Sequence, residues 1–259
     1  MVFTETAIAS FLASFLWPLM RIGSVFMAAP IFGARQVPAR WRVALALMIT
    51  WIVMPVLPPV PVVETFSHEA MMIAFQQIAM GVLMGFILQL VFAALVFAGQ
   101  VMAYSMGLGF ASMMDPQNGV QVPVVSQFYL ILVTLFFLVI NGHLILIELV
   151  VDSFKTVPIA VDGITRNTLW DIVTWGGRVF SGGLLMALPV VTALLIVNLG
   201  MGIITRAAPQ LNIFAVGFPM TMTLGFLVML VTLPDVLHNF GELMNEGFQV
   251  IMRNLRIVR

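Results

Sequence analysis

The chain has 259 residues, of which 61% are hydrophobic and only 8% charged. An ordinary soluble domain carries roughly a quarter charged residues, so this composition cannot cover a water-facing surface and reads as an integral membrane protein. Eleven basic and eleven acidic residues cancel, which argues against a nucleic-acid partner, and the lack of Cys excludes disulfides and thiolate metal sites.

The N-terminus, "MVFTETAIASFLASFLWPLM", has an acidic start and no small-residue cleavage site, so it is expected to be a retained first helix and not a signal peptide. A hydrophobic stretch over Phe11–Pro30 follows, interrupted by Arg21. The uncharged run Val43–Val63 ends in the Pro-rich "MPVLPPVPVV", where proline removes donors and restricts the residues before it. Ala70–Met114 carries no charge at all. As one helix it would run to roughly 65 Å, about twice a bilayer core. Pro116–Ile147 is the next run, and "KTVPIAVDGITRNTLWD" (155–171) is the most loop-like connector. Val179–Thr205 and Ala207–Pro234 complete the series. The predicted fold is all-α, with about six long hydrophobic segments in a single domain over 1–259.

Charge and hydropathy disagree on topology. Arg35, Arg40 and Arg42 place the first connector in the cytoplasm, and Arg253, Arg256 and Arg259 place the C-terminus there too. The positive-inside rule therefore asks for an odd number of crossings, while six segments give an even one. One apparent span is expected not to cross in the usual way.

Gly81, Gly85 and Gln89 recur every fourth residue, and Gln100 lies three turns beyond Gln89 on nearly the same face. Small residues let helix backbones approach, and a buried amide needs a partner, so this face is expected to meet other helices, in this chain or in another. The expected buried charges are Arg21, Glu148 and Asp152, with Arg206 at a helix end. An intramembrane charge is a functional candidate by default. Arg21 is read as a packing residue held by a carboxylate or by free carbonyls. Glu148 and Asp152 share a face and could start a proton path, but no further carboxylate or Lys continues it. His143 lacks a second ligand three or four residues on, where Leu146 and Ile147 stand. No nucleophile elbow, HExxH or phosphate loop occurs, so nothing supports an enzyme. Arg206, Pro209, Gln210, Asn212, Gly217 and Pro219 interrupt two apolar segments. Such a broken helix suits either a transporter's substrate site or the seam of a multisubunit assembly.

Three stretches then carry a resemblance: "RIGSVFMAAPIFGARQVPARWRVALAL" (21–47), "NGH" with "SFKTVP" (141–158), and "RAAPQLNIFAVGFP" (206–219). In this order they resemble the FliR/SctT family of type III secretion export-gate subunits, and the "GFPMT" continuation looks more like the flagellar branch than the virulence one. Leu144 departs from the family pattern, in which a second His commonly follows "NGH".

The resemblance implies a fold like fused FliP-type and FliQ-type helical units, packed in a hetero-oligomeric core with FliP and FliQ. It implies one copy per core, FlhB, FlhA and the basal body ring as further partners, and contact with membrane lipids. It implies an inner-membrane location, unfolded flagellar proteins as cargo, and no cofactor. It also implies that the segment 106–119 plugs the closed pore, with Met106, Phe110, Met113 and Met114 as apolar closure and Gly107 and Gly109 as flexible points. On the residues alone, that segment reads as a plain interhelical loop rather than a plug. A secondary transporter with broken helices is the competing function.

Overall fold

The computed structural model describes residues 5–34, 36–61, 63, 67–109, 123–161, 163–208 and 213–257. Every regular element among them is helical: α1 (Glu5–Ala28), α2 (Ala39–Val53) with a 3-10 turn (Met54–Val56), α3 (His68–Ser105), α4 (Val124–Val139), α5 (Gly142–Thr156), α6 (Arg166–Trp175), α7 (Arg178–Ala207) and α8 (Ile213–Asn254). Five stretches are long and apolar enough to cross a membrane. They are Ser10–Ala28, Ala39–Val56, His68–Ser105, Arg166–Ala207 and Val216–Asn254. The pair α4 and α5, bent by 63°, makes a sixth if it counts as one span. The chain is therefore a multi-pass, all-α membrane protein, as its composition predicts.

Several boundaries differ from the hydropathy reading. The run Pro116–Ile147 is divided, because Asn141 adopts the left-handed conformation (φ 57°) between α4 and α5. Asn tolerates that region better than most residues. Its N–H donates to the Leu138 carbonyl, and its own carbonyl accepts from Leu144 and Ile145 to start α5. Gly142 lies under the Phe137 ring, where a Cβ would come within 2.5 Å of a ring carbon. The "NGH" motif is thus a helix break, with each of its first two residues fitted to a backbone need.

The last apolar run does not stop at Pro234, since α8 continues to Asn254 with Pro219 and Pro234 inside it. Charges at Asp235, Glu242 and Glu246 end the hydropathy signal but not the helix. Val236, Phe240, Leu243 and Met244 stay buried at helical spacing beside them. At 42 residues α8 is about 63 Å long, and the 38 residues of α3 span about 57 Å.

The chain divides into two compact units, each built from separate segments of sequence. Unit 1 comprises Met1–Leu90, Phe137–Gly176 and Asn245–Arg259. Its core brings Ile22, Phe26, Ile73, Met84, Leu149 and Phe154 together at 2% exposure or less. Phe26 packs edge-on against Phe32 with ring centroids 4.7 Å apart. Unit 2 comprises Val91–Phe136 and Gly177–Met244. There the Phe92 and Phe136 rings meet Phe240 edge-on at 5.5 Å and 6.2 Å. Gly99 and Gly183 let helices close: a Cβ would fall 2.7 Å from the Ser126 Cα and 2.5 Å from the Ala94 carbonyl oxygen. The outer faces are apolar as well, with Leu195, Ile196 and Leu199 of α7 and Leu230 and Val231 of α8 exposed. Such faces need lipid or other protein.

The small-residue face of α3 divides in two. Gly81 and Gly85 are buried against α1 of the same chain. A Cβ on Gly81 would collide with the Ser24 hydroxyl and the Arg21 carbonyl, and one on Gly85 would lie 2.6 Å from the Ala28 Cβ and 2.7 Å from the Ala29 nitrogen. Gln89 is exposed and Gln100 half-buried. Gly85 already meets the end of α1, so nothing from that helix covers the next turn.

Replacing Gly85 by Leu is therefore expected to destabilise the fold by about 3 kcal/mol or more, the scale of a strained core overpacking. At Gly200 of α7 an added Cβ meets nothing within 4 Å. Gly200→Ala should stabilise by about 0.5–1 kcal/mol through helix propensity. Thermal unfolding in detergent reads both changes, and the opposite order would show that the α1–α3 approach is not tight.

Candidate functional site

Arg21 lies mid-way along α1, within a membrane-spanning stretch, and is completely buried. Its guanidinium is held by three neutral acceptors. Nε donates to the Gln77 side-chain oxygen at 2.8 Å, Nη1 to the Ser153 hydroxyl at 3.0 Å, and Nη2 to the Val157 carbonyl at 3.0 Å. Ser153 in turn donates to the Val150 carbonyl at 2.6 Å. The guanidinium carbon sits 4.2 Å from the centroid of the Phe154 ring, a favourable cation–π placement. Among the described residues no carboxylate comes within ion-pair distance of it. Of the two arrangements open to Arg21 on sequence, capture by free carbonyls is the observed one, with a hydroxyl and an amide added.

The acceptors come from α3, α5 and the residue that ends α5, so one side chain ties three segments of unit 1 together. Gln77 and Ser153 carried no signal in the sequence, although "SFKTVP" contains three of the four partners. The Gln77 amide nitrogen is buried and meets no acceptor among the described residues.

Glu148 and Asp152 are not the buried pair that was expected. Leu146, Leu149, Val150 and Ser153 form the inward face of α5, which turns Glu148 outward to an exposed position. Asp152 is half-buried and pairs with Lys155 at 3.1 Å. Arg206 is exposed in the last turn of α7, where a cation suits the helix's negative end. Pro209, Gln210 and Asn212 lie outside the described residues. His143 is half-buried, and no group of three His or carboxylate residues suited to a metal occurs among the described residues.

The segment expected to close a pore begins in unit 2, at the end of α3. Gly107 takes φ 83°. Its N–H donates to the Tyr104 carbonyl and the Leu108 N–H to the Ala103 carbonyl, both at 3.0 Å. This pair of bonds is the Schellman arrangement, in which a left-handed glycine satisfies the last carbonyls of a helix. Met106 is fully buried. A Cβ on Gly225 would lie 2.7 Å from its Cγ, and its carbonyl accepts from the Thr221 hydroxyl at 3.4 Å. Gly109 sits beside the Tyr104 ring. Phe110, Met113 and Met114 lie outside the described residues.

These observations define a class: a multi-pass helical membrane protein whose described features are polar bolts and helix terminations. The family model for bacterial export proteins, family 1, matches residues 12–247. The flagellar biosynthetic protein FliR of Escherichia coli (strain K12) is 41% identical over 242 residues, 91% of this chain and 92% of that protein. FliR of Pectobacterium carotovorum subsp. carotovorum is 38% identical over 251 residues, 97% and 96% of the two chains. FliR of Bacillus subtilis (strain 168) is 33% identical over 223 residues, 84% of this chain and 85% of that one. The chain belongs to the FliR family of bacterial export proteins.

Replacing Arg21 by Met would keep the bulk but leave the Gln77 oxygen and the Val157 carbonyl buried without their donor. Each such loss costs about 1–3 kcal/mol, so Arg21→Met should lower stability by roughly 2–6 kcal/mol. Arg21→Lys is expected to restore only part of this, since one ammonium cannot match the guanidinium's fork. Thermal melts of the three proteins in detergent measure the order, and equal melting temperatures would remove the bolt's structural importance.

Proposed function

We propose that the chain is a non-enzymatic subunit of the flagellar type III export gate in the bacterial inner membrane. It assembles with FliP- and FliQ-type subunits into a channel for unfolded flagellar proteins, with FlhB, FlhA and the basal body ring as further partners. The observation that carries this reading is the match to the bacterial export family over residues 12–247, with relatives named flagellar across nearly the whole chain. The apolar outer faces of both units support it, since they offer a large area for other helices.

In this reading residues 106–119 close the pore. Methionine's flexible thioether can repack around different passing chains, and an apolar constriction blocks ions by dewetting. The finished helix end at Gly107 supports the reading, because it separates the segment from α3 at a defined point. Deleting Phe110–Met114 should leave co-purification with the other gate subunits intact and make the membrane leak ions. Unchanged conductance would rule out the closing role. Failure to co-purify any second membrane subunit with the unaltered chain would rule out the gate itself.

Five crossings reconcile hydropathy with charge if the bent α4–α5 pair returns to the side on which it started. The connector after α2 then faces outward, and the connector after α5 and the C-terminus face the cytoplasm. With no native Cys, single cysteines at Thr165 and Pro59 test this. A membrane-impermeant maleimide should label position 59 in intact spheroplasts and position 165 only after permeabilisation. Labelling of both in intact spheroplasts would refute the five-crossing arrangement.

A further inference from the structure

Unit 1 carries a groove of about 330 Å³ on the α1–α2 face, lined mainly by Leu19, Gly23 and Met27 of α1 and by Arg42, Val43 and Leu47 of α2. Two features occur together in it. Its floor is a glycine with open space above it, since a Cβ at Gly23 would meet nothing within 4 Å. Its polarity is confined to a single cation. Ser24, which also lines the groove, spends its hydroxyl on the Arg21 carbonyl at 2.9 Å. Arg42 donates through Nη2 to the Val37 carbonyl at 2.8 Å and to the Ala34 carbonyl. Those bonds fix the guanidinium at the first turn of α2, while its Nε is buried and meets no acceptor among the described residues.

We propose that this groove binds an anionic phospholipid, with one acyl chain on the Gly23 floor and the phosphate at Arg42. The match is one of polarity profile. A partner helix would bring side chains along its whole length to a groove that offers one charge and otherwise smooth apolar walls. A phospholipid brings one anionic group above a featureless chain. The α1 wall from Leu19 to Met27 runs about 12 Å, close to the roughly 15 Å of a single leaflet's hydrocarbon. The charge sits at a level that suits headgroups as well, because Arg40 and Arg42 both lie in the first turn of α2. Basic pockets between membrane helices on the cytoplasmic side are suited to anionic headgroups. The inference rests on the membrane reading and is independent of what passes through the assembly.

The full chain, purified in mild detergent with whatever subunits accompany it, is stripped of loose lipid. It is then titrated with dioleoyl phosphatidylglycerol or dioleoyl phosphatidylcholine, and native mass spectrometry counts the lipid retained. Phosphatidylglycerol should be held about fivefold more tightly, the scale of one basic side chain near an anionic headgroup. Arg42→Gln should abolish the difference between the two lipids, while Arg42→Lys should keep most of it. Gly23→Leu should reduce retention of both, because it fills the acyl slot in space that is open in the fold. Equal retention of the two lipids by the unaltered chain would overturn the proposal. So would an undiminished phosphatidylglycerol preference in Arg42→Gln, undiminished lipid retention in Gly23→Leu, or no retention of either lipid, the result expected if a partner helix covers the groove.

Discussion

A guanidinium in a low-dielectric interior must be compensated at close range or it will not stay there, and unit 1 is organised around that demand. Arg21 meets it with a side-chain amide, a hydroxyl, a backbone carbonyl and an aromatic face. A single carboxylate would satisfy at most two arms of the fork and tie α1 to only one segment. Three acceptors on two segments instead determine where α1 lies against α3 and α5. The glycines at 81 and 85 belong to the same solution. The backbone of α1 at Arg21, Val25 and Ala28 comes so near α3 that a side chain at either position would force it away and lengthen the Arg21–Gln77 bond.

Unit 2 solves a different problem. Its interior is aromatic and small-residue packing, with edge-on Phe contacts around Phe240 and glycines at the helix approaches. Hydrophobic burial alone cannot specify such a fold in a membrane, where the outer faces are equally apolar. Specificity falls instead to shape, as in the approach of Gly99 to Ser126, and to bonds such as that from the Ser126 hydroxyl to the Val96 carbonyl. The same scarcity of polar groups explains why the exposed helix faces read as surfaces for association.

Much of this was legible in advance. Composition gives the membrane class, and the helical segments follow hydropathy to within a few residues wherever a charge or proline coincides with a helix end. Prediction fails where those signals separate. Charges along α8 mark an amphipathic continuation rather than a boundary, and the break at Asn141 falls inside a run that carries no charged residue or proline there. Glu148 was expected inside because it shares a face with Asp152, although the alternation of Leu146, Leu149, Val150 and Ser153 already assigns the inward face to other residues. Gly107 could have been read as a helix stop from its type and place. The partners of Arg21 could not, because the Gln77, Ser153 and Val157 contacts lie 56, 132 and 136 residues away in sequence, beyond any periodicity argument.

Those separations also set a clock. At about 5–20 residues per second of synthesis, the 136 positions between Arg21 and Val157 take on the order of ten seconds to emerge. Throughout that interval the first helix exists with its cation and without two of its three acceptors. Water in the insertion channel, a lipid phosphate or another protein must solvate Arg21 until α5 arrives. The residue that locks the finished unit therefore also makes its first helix a poor resident of the bilayer when alone, and delays its commitment until more than half the chain has been made.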